Sequence, residues 1–110
     1  MGWMLIVSSD DDFQREAILR AGKARALVGA TGEISACSLV GAVDVQTILV
    51  DALDDVGRRF LGVLRSLPRT ALPGVEVIAV GPQAAIPRFE ARASIAQALE
   101  HVAPGPQIAA

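Results

Sequence analysis

Thr47-Ile48-Leu49-Val50-Asp51 is the stretch on which the reading of this chain turns. It is an apolar run closed by a carboxylate. A short, uninterrupted apolar run marks a strand buried on both faces, as in a parallel sheet. An aspartate ending such a strand lies at the carboxyl edge of the sheet, where open α/β folds place their chemistry.

The same pattern recurs on either side. Met4-Leu5-Ile6-Val7 is a second such run and ends in Ser8-Ser9-Asp10. Asp10, Asp11 and Asp12 then open a helix, since carboxylates suit the positive end of the helix dipole. Phe13, Ala17, Ile18 and Ala21 recur at helical spacing and predict its buried stripe, with Gly22 as the C-cap. Ala26-Leu27-Val28 predicts the next strand. Thr31-Gly32 turns into a helix carrying Ile34, Cys37 and Leu39. After Asp51, the residues Val56, Phe60, Leu61, Leu64 and Leu67 give the clearest amphipathic helix, ended by Pro68 and Pro73-Gly74. Val75 to Val80 predicts a fourth strand, stopped by Gly81-Pro82. Ile86 to Glu90 predicts a fifth, with Pro87 suited to its start or to an edge. Ser94 and Gln97 match a capping box for a last helix that buries Ile95, Leu99 and Val102. Strands alternating with helices imply a parallel sheet covered on both faces.

Bulk properties narrow the class further. The chain has 110 residues, enough for one domain, with 52% apolar and 20% charged residues. The net charge of −2 gives no field that favours nucleic acid. No apolar stretch reaches membrane-spanning length, and no basic segment precedes the first apolar run as in a signal peptide. Met1-Gly2 is not a myristoylation signal, because Ile6 stands where Ser or Thr is needed. The single cysteine, Cys37, forms no internal disulfide and reads as a small core residue. No Cys/His cluster suggests zinc, and the glycines do not form a dinucleotide-binding fingerprint. These absences lead to an expected cytoplasmic location. Arg58, Arg59, Arg65 and Arg69 read as the solvated face of the third helix, and His101 as a residue suited to the C-terminal dipole of the last.

Four phrases at consistent spacing carry a resemblance. They are Leu5-Ile6-Val7 with the acidic turn and Phe13; Val28 to Ala36 with Gly32-Glu33; Val43-Asp44 through Asp51; and Leu64-Arg65 to Pro68-Arg69-Thr70, followed by Pro73 and Val77-Ile78. Over roughly the first eighty residues the chain resembles the receiver domain of two-component response regulators. The resemblance implies a flavodoxin-like α/β fold, a five-stranded parallel sheet of order 2-1-3-4-5. Residues 1–103 form this domain, and 104–110 a flexible tail or linker, so the chain reads as a module of a longer protein. The segment from Gly81 to the last helix is short, which implies that the fourth helix is shortened or missing.

The departures from the family matter more. Asp51 stands at the phosphoacceptor position, but the acidic pair that holds magnesium is replaced by Ser8 and Ser9. Hydroxyls are neutral, and Mg²⁺ prefers carboxylate oxygens. Gly81 stands where receivers carry Ser or Thr. The only lysine, Lys23, is far upstream of the position where the family has one, and the usual aromatic switch residue is at best replaced by Phe89. The expectation is therefore an atypical receiver, or pseudo-receiver, of bacterial-type signalling and phosphorelays. It has no enzyme activity, no metal and no cofactor, and Asp51 is a vestigial phosphoacceptor whose charge contributes little to stability. It acts through another signalling protein or a second copy, not through nucleic acid or membrane. Its expected interface is Ile86 and Phe89 with Ile95 and Leu99. One alternative is a working receiver using Asp51 with Asp10 and Asp11 as a displaced acidic pair. Another is a domain like the anti-sigma-factor antagonists (STAS), which Leu49 to Leu64 and Val77 to Arg88 faintly resemble.

Overall fold

Among the described residues five strands and four helices follow one another in the order β1 (Trp3–Val7), α1 (Asp11–Ala21), β2 (Ala26–Ala30), α2 (Glu33–Ala42), β3 (Val45–Asp51), α3 (Asp55–Ser66), β4 (Glu76–Val80), β5 (Glu90–Arg92) and α4 (Ile95–Glu100). The structure is a computed structural model, described here for residues 2–21, 26–42, 44–68, 74–81, 90–92 and 94–100. All strand pairs are parallel and the sheet order is β2-β1-β3-β4-β5. The order matches the expectation from sequence, and it puts β1 between β2 and β3. That arrangement removes the footing of the STAS-like alternative.

The apolar runs are buried as their composition requires. Met4 to Val7 and Ile48 to Val50 are fully enclosed. Alternate residues of each strand face opposite layers. Leu5, Val7, Ile48 and Val50 pack under α2 and α3 with Phe60, Leu61 and Leu64. Met4, Ile6, Leu49 and Ile78 pack under α1 and α4 with Phe13, Ala17, Ile95 and Ala98. Asp54 caps α3 by accepting from the Val56 and Gly57 amides, and Leu67 closes it through its N–H to Leu64. Ser94 caps α4 through the Gln97 amide.

Several sequence expectations need correction. Ile18 is exposed, and the buried face of α1 is Phe13, Gln14 and Ala17. A glutamine enters that face because its amide finds acceptors there, as described below. On α2, Ile34 is 83% exposed and Cys37 is exposed, so neither is core. The helix lies over the edge of the sheet and buries only a narrow line, Ala36 with Leu39 and Val40 beside it. The described part of the fifth strand is Glu90–Arg92, which shares only Glu90 with the expected segment Ile86 to Glu90 and runs beyond it. The shortened or missing helix, Ile86, Phe89, Gly22, Lys23, Arg69, His101 and the tail all lie outside the described residues. Ile95 is buried and Leu99 packs against the same cluster. Within the chain Ile95 is thus part of the core and Leu99 is partly covered.

Candidate functional site

Asp51 ends β3 at the carboxyl edge of the sheet and is only 6% exposed. Its neighbours come from the ends of the adjoining elements. Ser8, fully buried just beyond β1, donates its hydroxyl to Asp51 Oδ2 at 2.9 Å. The Leu53 amide donates to Oδ1 at 3.1 Å. The Ser8 oxygen in turn accepts from the Asp10 amide at 3.0 Å. A directed chain results, from the Asp10 N–H through the Ser8 hydroxyl to the carboxylate. Burial pushes the Asp51 carboxyl above the ordinary aspartate range. The bonds from Ser8 and Leu53 work against that rise, and the nearby charges of Asp54 and Asp10 add to it.

A second carboxylate forms a parallel fastening. Ser9 donates both its amide (3.0 Å) and its hydroxyl (2.6 Å) to Asp54. Asp54 also caps α3, so one side chain ties the loop after β1 to the start of that helix. Partial desolvation opposes ionisation of Asp54. The Ser9 hydroxyl and the amides of Ser9, Gly57 and Val56 outweigh it and hold the carboxyl below its ordinary range. Gly57 allows α3 to start this close: a Cβ there would run into the carbonyl oxygen of Asp51.

Behind the first loop, Gln14 reaches from α1 into the buried gap between the ends of β1 and β2. Its amide nitrogen lies 3.1 Å from each of the carbonyl oxygens of Ile6, Ser8 and Ala30. Above Asp51 an open cleft of about 390 Å³ has Phe13, Leu53, Val80 and Ile95 as apolar lining, with Asp10, Glu16, Asp51, Asp54 and Ser94 as polar lining.

The candidate residues divide on this geometry. Ser8 meets Asp51, whereas Ser9 bonds Asp54 instead. Asp10 joins them mainly through its backbone, while its side chain caps α1 by accepting from the Asp12 amide at 2.9 Å. Asp11 lies in the first turn of α1 and lines no part of the cleft. Of the alternative acidic pair, Asp10 thus lines the cleft with Asp51 and Asp11 does not. Gly81 follows β4 and is buried.

Sequence reading missed Asp54, Gln14 and Arg92. Asp54 was open to detection as an N-cap before Val56, but its partner Ser9 lies 45 positions away. Nothing in local pattern marks Gln14. Arg92 ends β5 in the register row Asp51↔Val80↔Arg92. That residue becomes visible only once β5 is placed.

The donor set differs from what a divalent cation needs. Mg²⁺ takes oxygen ligands with carboxylate charge. Here the Ser8 hydroxyl is already both donor and acceptor, Asp54 is engaged by four donors, and the Asp10 side chain is turned to its own helix. Among the described residues no three potential ligands converge. The residues present do not fit the metal site that the fold would imply.

Among solved structures the chain is similar to the signal receiver domain of a DNA-binding response regulator protein (merR) from Colwellia psychrerythraea 34H. The TM-score is 0.56 at 19% identity, covering 73% of this chain and 68% of that one. At that identity the likeness establishes a receiver-like fold. No family model matches the sequence, and no curated protein matches it. Among the described residues no helix is long and apolar enough to cross a membrane.

Proposed function

We propose that this chain is an atypical receiver-like signalling domain that works by protein–protein interaction, without enzyme activity of its own and without Mg²⁺-dependent phosphorylation. The observation that carries this reading is the Ser8–Asp51 hydrogen bond. In phosphoryl transfer most of the catalysis is electrostatic stabilisation by metal and cation. Serines at both acidic-pair positions supply no such charge, and they hold the loops together by direct hydrogen bonds. Asp51 is thereby a structural acceptor at the position of a phosphoacceptor.

Incubation with acetyl phosphate and Mg²⁺, followed by intact-mass measurement, tests the reading. The expected result is an unchanged mass. A stoichiometric gain of one phosphoryl group that disappears in Asp51→Asn would overturn it.

A further inference from the structure

The two edges of the sheet differ in chemistry. β5 carries Glu90 and Arg92, and charges of this kind blunt an edge strand against pairing. β2, Ala26-Leu27-Val28-Gly29-Ala30, has no charge and no proline, and its five residues pair in the sheet only with β1. Among the described residues nothing pairs with its outer side. Natural edges left in that state are templates for another strand.

The helix above this edge has the same character. Between Ala26 and Ala42 there is one charged residue, Glu33. The exposed positions of α2 after it are Ile34, Ser35, Cys37, Ser38, Gly41 and Ala42, all uncharged. The other long helices look different. α1 displays Asp11, Asp12, Arg15, Glu16 and Arg20, and α3 displays Asp55, Arg58, Arg59 and Arg65. One flank of the molecule is thus neutral through two layers, strand and helix.

We propose that this flank is a two-fold interface between two copies of the chain, with β2 pairing antiparallel to its counterpart and α2 packing beside α2 of the other copy. An antiparallel pair needs only the same strand reversed, so the edge is complementary to itself. A neutral surface meets its own copy without like-charge repulsion. The spacing also agrees. In a joined sheet, β2 lies about half a strand spacing (~2.4 Å) from the axis, and α2, seated over β1 and β2, lies about one spacing (~4.8 Å) from it. The two helix axes then stand ~9.6 Å apart on the same face of the sheet, within the 8–10 Å usual for packed helices. Small residues on α2 suit that approach. A five-residue strand and a ten-residue helix make fewer contacts than the roughly 20–30 residues per side of a standard interface. The dimer is accordingly a weak one, with dissociation in the micromolar range or above.

The inference names a partner for the interaction reading above and rests on it only for relevance to signalling. Sedimentation tests this one and mass measurement tests the other, so either can fail alone. Sedimentation velocity from ~5 μM to ~500 μM is run on the native chain and on Ser38→Glu, Ser38→Lys and an equal mixture of the two. Ser38 is exposed at the middle of α2, so the fold tolerates both substitutions. The expected result is a native dimer, association weakened at least tenfold in each variant alone, and recovery in the mixture. Ser66→Glu, exposed at the end of α3 and outside both β2 and α2, leaves association unchanged. Amide exchange of residues 26–30 slows as concentration rises. A monomer throughout overturns the proposal, as does a dimer indifferent to both Ser38 variants. Concentration-independent protection of those amides of 26–30 that do not bond to β1 does so too, since it means that another part of the same chain covers the edge.

Discussion

Ser8 donates its hydroxyl to Asp51, 43 positions away in sequence, across 2.9 Å between buried oxygens at the ends of two neighbouring strands. Their bond ties the loop after β1 to the end of β3. The sequence reading left Asp51 with little to hold. In the structure it accepts from a hydroxyl and from a backbone amide.

Truncation and neutralisation of Asp51 therefore separate. Asp51→Ala leaves the Ser8 hydroxyl and the Leu53 amide without their acceptor, which costs about 1–3 kcal/mol. Asp51→Asn keeps an acceptor oxygen and removes a buried charge, and its effect is expected within about 1 kcal/mol of zero. Urea unfolding of the two variants, with unchanged slopes, checks the difference.

The two carboxylates respond to acid in opposite senses. The Asp51 pKa is raised on folding, so the folded state binds that proton more tightly than the unfolded chain. Its contribution to stability grows as pH falls through the raised value towards the ordinary aspartate pKa of about 3.9. The Asp54 pKa is lowered on folding, and its contribution is present above that ordinary value and lost as pH falls through the lowered one. Unfolding free energies from about pH 7 to pH 2.5 are expected to lose their Asp51 component in Asp51→Asn, above about pH 4. The component below that point disappears in Asp54→Asn. Identical pH profiles for the native chain and both variants would refute the assignment.

Two glycines in α3 make a matched pair. Alanine is favoured over glycine inside a helix by roughly 0.5–1 kcal/mol. Gly62 has open space where a Cβ would go, so Gly62→Ala is expected to stabilise by about that amount. At Gly57 a Cβ meets the Asp51 carbonyl oxygen, which is backbone and cannot turn aside. Gly57→Ala is expected to destabilise by about 1–3 kcal/mol despite the better propensity. Thermal unfolding of the two variants gives opposite shifts in Tm.

The parallel sheet was legible because its strands are unbroken apolar runs. Leu5 to Val7 and Ile48 to Val50 have one physical solution, burial on both faces. The position of Asp51 follows from the strand that it ends. What escaped the sequence was long-range polar pairing. Ser9 meets Asp54 and Gln14 meets Ala30 only after the sheet has brought their loops together. The buried side of α2 was misjudged for a related reason. With Ile34, Cys37, Leu39 and Val40 spread around a nearly uncharged helix, apolar periodicity does not select a face. The edge of the sheet below it does.

Gln14 also bears on how the molecule comes apart. Its nitrogen joins the last carbonyl of β2 to β1 from a side chain rooted in α1. The end of that strand is thereby tied to a helix that is packed through Phe13 and Ala17, and its fraying is expected to be coupled to that helix. Strand end and helix form one unit of local unfolding. Amides around Ala30 and along α1 should exchange with a common opening free energy, and Gln14→Leu should let the strand end exchange faster than the helix. A margin that opens only at that cost is a rigid template, available for pairing without prior ordering.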